Sequence, residues 1–182
     1  MITVVSGTNR PGNRTLVFAN HFAELLRSAG QEVQVLDLAK VNLADLADSL
    51  YDGERFSEEF RKLQDRYFLT VDRFAFFVPE YNGSYPGVLK LLIDAISVRR
   101  TDDNFGGKYA ALIGIASGRA GNLRGMDHLG AALAHMGAWV LPGKTPISSI
   151  HQLLNGDEVT DEKTTATLRG LATDLASAGS VS

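Results

Sequence analysis

Pro79-Glu80-Tyr81-Asn82-Gly83-Ser84-Tyr85-Pro86-Gly87 is the stretch on which the reading of this chain turns. It follows Arg73-Phe74-Ala75-Phe76-Phe77-Val78, an apolar run with the length and content of a buried strand. It precedes Val88 to Ser97, which reads as a helix. The stretch therefore joins the carboxyl end of a strand to the start of a helix. In open α/β sheets ligands bind beyond such strand ends. Its prolines and glycines stiffen the backbone and delay the helix until Pro86. A tyrosine, a carboxylate, an amide and a hydroxyl are left on a tight turn. That suits a binding edge, and equally an ordinary polar loop.

Working outward, the pattern repeats. Residues 2–6 are β-branched and apolar, a short buried strand, followed by Gly7-Thr8-Asn9-Arg10-Pro11-Gly12-Asn13-Arg14-Thr15. Leu16 to Ser28 has helical apolar spacing, and Gly30 ends it. Glu32 to Leu38 reads as a second strand, and the stretch from Ala39 to Phe56 as irregular with room for a short helix. Ser57 caps a helix through about Val71. Lys108 to Ala116 is a fourth strand, ending in Ser117-Gly118-Arg119-Ala120-Gly121-Asn122. Arg124 to Met136 reads as a helix closed by Gly137, Ala138 to Leu141 as a fifth strand, and Asp161 to Ala178 as a helix capped by Thr160. Strand–helix alternation implies a parallel sheet covered on both faces, because crossovers are right-handed. Five strands fit a flavodoxin-like three-layer sandwich of order 2-1-3-4-5, in one domain spanning 1–182.

Composition narrows the function. The 182-residue chain is 45% hydrophobic, ordinary for a globular protein with a proper core. A net charge of −3 offers no general attraction to nucleic acid or to an anionic membrane. With no cysteine, disulfides, thiolate zinc sites and a cysteine nucleophile are all excluded. No apolar run reaches membrane-spanning length and no leader pattern opens the chain, so a cytoplasmic location is expected.

In the 2-1-3-4-5 order, the loops after strands one, three and four converge on one crevice. The first loop has glycines that admit a ligand to the backbone, hydrogen-bond donors in Thr8, Asn13 and Thr15, and cations in Arg10 and Arg14. It suits an anion cradle or a solvent-exposed turn, and it is neither G-x-x-x-x-G-K-[ST] nor G-x-G-x-x-G. Ser117 to Gly121 has the same small-residue character, with Arg119 available to meet charge. Together the loops fit a phosphorylated planar heterocycle. No Ser-His-Asp pattern points to hydrolysis, and no histidine pair has metalloprotease spacing. His21, His128 and His135 fall inside helices and His151 in a loop, while Lys90 and Asp94 form an ordinary helical pair. A cofactor that carries its own chemistry fits better than acid–base catalysis by side chains.

These loops resemble those of the NAD(P)H-dependent FMN reductases, a family that includes chromate, azo-dye and quinone reductases. The resemblance is strongest from Pro79 through Lys90, continuing to Ile93, Asp94 and Ser97, and extends to Ser6 through Gly12 and Ser117 through Gly121. It implies bound FMN, NADPH or NADH as co-substrate, a small-molecule electron acceptor, ping-pong turnover without a protein nucleophile, and a homodimer or homotetramer. It implies Thr8, Arg10, Asn13 and Thr15 at the FMN phosphate. Pro79, Glu80, Tyr81, Asn82 and Ser84 would lie along the isoalloxazine, with Ser117, Gly118, Arg119 and Gly121 near its pyrimidine end. The chain departs from the family pattern at Asn13, Arg14, Leu91, Ala95 and Asn122. A flavodoxin-type electron carrier and an FMN-binding regulatory module without turnover are the competing expectations.

Overall fold

A computed structural model describes residues 1–48, 50 and 56–179. Five parallel strands run in the order β2-β1-β3-β4-β5. They are β1 (Ile2–Ser6), β2 (Val33–Asp37), β3 (Arg73–Pro79), β4 (Tyr109–Ile115) and β5 (Trp139–Val140). The central strands are buried on both faces, which is why β3 and β4 read as unbroken apolar runs.

Side-chain alternation along β3 divides the core in two. Phe74, Phe76 and Val78 pack on one side with α3 (Glu58–Gln64), α4 (Gly87–Val98) and α6 (Leu123–His135). Ala75 and Phe77 pack on the other with α1 (Thr15–Ser28) and α7 (Glu162–Ser177). The result is helix, sheet, helix. Among the described residues no helix is long and apolar enough to cross a membrane.

Several boundaries differ from the sequence-based expectation, each for a local reason. Of the irregular stretch 39–56, residues 49 and 51–55 lie outside the described residues. The rest contributes a 3₁₀ turn, Leu38–Lys40, and the short helix α2, Leu43–Asp48. The helix capped by Ser57 ends as a π-helical turn, Asp65–Leu69. The terminal helix is capped by Asp161 rather than Thr160. The Asp161 carboxylate accepts from the Thr164 N–H at 2.7 Å, whereas the Thr160 N–H donates to the Leu153 carbonyl. The hydrogen bond from the Thr164 N–H holds the Asp161 carboxyl below its ordinary value. α5 (Thr101–Phe105) and the hairpin of β7 (Leu154–Asn155) and β8 (Glu158–Val159) were not anticipated.

The fifth strand shows the largest difference. It comes in two pieces. β5 pairs only with Tyr109 and Ala110 at the start of β4, and β6 (Thr145–Ile147) pairs with Ile113 to Ile115 at its end. Pro142 and Gly143 interrupt the edge between them. β6 then delivers the chain into a 3₁₀ turn, Ile150–Gln152, at the carboxyl rim of the sheet.

Candidate functional site

The carboxyl ends of β1, β3 and β4 share one rim, and their loops enclose a cavity of about 490 Å³. That is within the size range of small-molecule and cofactor pockets. Arg10, Arg14 and Thr15 line it from the first loop, and Pro79, Glu80 and Tyr81 from the second. Ser117 and Gly118 line it from the third. Seven of the thirteen residues singled out from sequence thus meet around one space.

The first loop is held at its base. Gly7 donates to the Phe77 carbonyl at 2.9 Å, and a Cβ there would lie 2.8 Å from that oxygen, so a side chain would push the loop off β3. Thr8 is buried and does not reach the cavity; its hydroxyl shares a hydrogen bond with Tyr81 Oη at 2.7 Å, tying the first loop to the second. Asn13 also turns inward. It donates to the Arg10 carbonyl at 2.8 Å and accepts from the Leu16 N–H at 3.0 Å, which closes the loop and caps α1. Arg14 pairs with Asp157 at the tip of the β7–β8 hairpin, 2.5 Å away.

Other groups on this loop are unspent. The Arg10 guanidinium has no partner among the described residues. Thr15 is only 3% exposed, yet its hydroxyl, on the cavity wall, bonds to no described residue. The Asn13 and Arg14 backbone N–H groups are likewise unpaired among the described residues, at the amino end of a 14-residue helix. This donor set fits a phosphate, with which a helix amino terminus and an arginine pair well.

The second loop is a closed two-residue turn. Tyr81 and Ser84 exchange both backbone hydrogen bonds, at 2.9 and 3.0 Å, with Asn82 at φ 52° and Gly83 at φ 79°. These left-handed values favour Asn-Gly. Asn82 and Ser84 therefore shape the turn and do not line the cavity. The Ser84 hydroxyl lies 2.9 Å from His128 Nδ1 on α6. Burial pushes the neighbouring Tyr85 phenol up.

In the third loop, Arg119 is exposed, off the cavity lining and unpartnered among the described residues. Gly121 packs away from the cavity, where a Cβ would collide with Pro146. Ile150 and His151 complete the wall. They arrive through β6, whose connection is pinned to the third loop by Ser149 N–H to the Gly118 carbonyl at 3.1 Å. Sequence reasoning missed them, since His151 read as a loop residue and β6 is a three-residue strand with a proline at its centre.

The fold and this rim define a doubly wound α/β protein with a cofactor-sized crevice at its switch point. The family model described as NADPH-dependent FMN reductase matches residues 1–152. The chain belongs to that family, oxidoreductases whose cofactor is FMN and whose reductant is NAD(P)H. Among relatives, it is 40% identical over 83 residues to the NAD(P)H-dependent FMN reductase PA1204 of Pseudomonas aeruginosa, a match covering 46% of this chain and 40% of that protein's length. It is 27% identical over 152 residues to an NADPH azoreductase of Bacillus sp. strain OY1-2, covering 82% and 78% of the two chains. A 2-hydroxy-1,4-benzoquinone reductase of Burkholderia sp. is 30% identical over 135 residues, covering 74% and 70%. Among solved structures, FerB of Paracoccus denitrificans, a flavoenzyme NAD(P)H:(acceptor) oxidoreductase, superposes with a TM-score of 0.79 at 26% identity, covering 96% and 93%. An archaeal flavodoxin shares the fold alone, with a TM-score of 0.60 at 16% identity over 97% and 96% of the chains.

Proposed function

We propose that this chain binds FMN in the rim crevice as a single FMN-binding domain spanning 1–182, and carries electrons from NAD(P)H to a quinone, flavin, azo compound or similar acceptor. One observation carries the reading. The Thr15 hydroxyl opens on a cavity of about 490 Å³ and bonds to no described residue, beside an unpartnered Arg10 and the free amino end of α1. Donors that converge on one cavity without a protein partner are free to meet an anion there.

Arg10, Thr15 and the first-loop N–H groups would hold the phosphate. Thr8 acts through Tyr81, and Asn13 through the loop it closes. Pro79, Glu80 and Tyr81 would lie along the isoalloxazine on the turn that Asn82 and Ser84 shape. Ser117 and Gly118 would meet the pyrimidine end, where backbone donors or Arg119 would stabilise negative charge on the ring, with Gly121 setting the path of the loop. When bound, FMN would supply the redox chemistry for two-electron, ping-pong transfer between NAD(P)H and the acceptor. The protein's part is to bind, orient and present one open face to both substrates. A homodimer or homotetramer in the cytoplasm belongs to the same proposal, with light scattering as its check.

The decisive test is the visible spectrum of the purified protein, followed by anaerobic addition of NADPH or NADH and then a quinone. Yellow protein that bleaches with nicotinamide and recolours with quinone is expected. Colourless protein that takes up no added FMN overturns cofactor binding. A flavin that neither nicotinamide bleaches points instead to an electron carrier or a regulatory module.

A further inference from the structure

We infer that Asn122 is a positioning residue that locks the peptide between Pro79 and Glu80, fixing the flavin-facing edge of the crevice before any ligand arrives. The inference rests on the FMN reading above. Asn122 is 2% exposed and sits at φ 58°, a left-handed conformation that asparagine tolerates better than most residues. Its amide nitrogen donates to the Val78 carbonyl at 2.9 Å and to the Pro79 carbonyl at 3.0 Å. Its amide oxygen accepts from the Gly125 N–H at 3.1 Å and so caps α6. Both donor hydrogens and the acceptor are used, leaving the side chain no alternative orientation.

The consequence falls on Glu80. The Pro79–Glu80 peptide is held at both ends, its carbonyl by Asn122 and its N–H by the Ile115 carbonyl at 3.0 Å. The next N–H, that of Tyr81, is tied into the turn by Ser84. Glu80 therefore leaves the sheet between two peptides that cannot flip. Because Asn122 ends the third loop and starts α6, one side chain couples the second and third walls of the cavity. The His128 contact to Ser84 backs the same turn from α6 but is solvent-exposed. Of these two contacts from α6, that of Asn122 is the buried one, where unmade hydrogen bonds are costly.

Three preparations test this: wild type, Asn122→Gly and Asn122→Ser. Glycine keeps the backbone conformation without the amide. Serine keeps an N-cap oxygen but cannot reach the Val78 and Pro79 carbonyls. FMN affinity of the stripped protein and the midpoint potential of bound FMN are the readouts. Asp161→Ala, which removes a remote helix cap, serves as the control for general destabilisation. Both Asn122 variants are expected to bind FMN about tenfold more weakly and to shift the potential, while Asp161→Ala leaves both values unchanged. Wild-type affinity and potential in both variants overturn the inference, as does an equal loss in the control. Should neither variant fold, amide exchange of the wild-type protein without FMN decides: slow exchange at Glu80 and Tyr81 is expected, and fast exchange overturns it. A wild type that binds no FMN would sink the functional reading and this inference together. Normal wild-type binding with indifferent variants sinks this one alone.

Discussion

The first and second loops of the rim lie side by side and are built on opposite plans. The second, 79–84, is tied down through its backbone and its tyrosine, to Ser84, to Ile115, to Asn122 and to Thr8. The first is anchored by Gly7 and closed by Asn13, but between these ties it keeps Arg10, Thr15 and two backbone N–H groups unspent. One loop is a finished edge; the other is a set of donors awaiting an acceptor. A flat heterocycle needs a rigid edge to lie against, and a phosphate needs donors not already used. Substitutions of the unspent groups in the first loop should therefore change binding without changing stability, and those of the tied groups in the second should change stability first.

The largest expected effect is on binding. Arg10→Ala should weaken FMN affinity by about 1.5–3 kcal/mol if the guanidinium makes a charge-assisted contact, and should leave the denaturant midpoint of the stripped protein unchanged. Unaltered affinity would remove Arg10 from the site. Next comes Gly83→Ala, which forces a side chain to φ 79° and should cost about 1–2 kcal/mol of unfolding free energy. A variant as stable as wild type would show that the turn is not as closed as it looks. Tyr81→Phe removes the bridge between the loops and should cost about 0.5–1.5 kcal/mol in stability. An effect on FMN affinity alone would move Tyr81 to the receiving side of the comparison.

The smallest effect concerns pH. Burial, and secondarily the Arg169 charge, hold the His21 imidazole below its ordinary value, beside Thr165 at 3.1 Å. The unfolded chain therefore binds the proton more tightly than the folded one. Stability is full above the unfolded value of about 6.5 and falls as the pH drops from there toward the folded value. Melting temperature should decline across that window, and His21→Gln should flatten the decline. His21 does not line the rim cavity, so FMN affinity should be unchanged.

Much of this was legible in the residues. β-Branched and apolar runs marked β1, β3 and β4, and the punctuating glycines and prolines marked the three loops, so their convergence followed from strand order alone. What escaped notice depended on partners distant in sequence or on choices between neighbours. Asn122 looked only like a departure from the family pattern, because its partners are carbonyls 43 and 44 residues earlier. Asn13 and Arg14 looked like altered phosphate contacts, yet one closes its own loop and the other reaches a hairpin at Asp157 that no periodicity announced. Thr160 and Asp161 are both good caps, and only the backbone path chooses between them. His151 could not be placed before β6 was known.

The divided edge has a bearing on the protein's behaviour in crowded solution. An uninterrupted outer strand is a template on which a second chain can add by backbone pairing. Here that margin offers two residues at one end and three at the other, with Pro142 and Gly143 between them and Pro146 within the longer piece. Proline lacks the N–H that such addition requires. The same break that brings His151 to the rim also makes this side of the sheet a poor seed for aggregation.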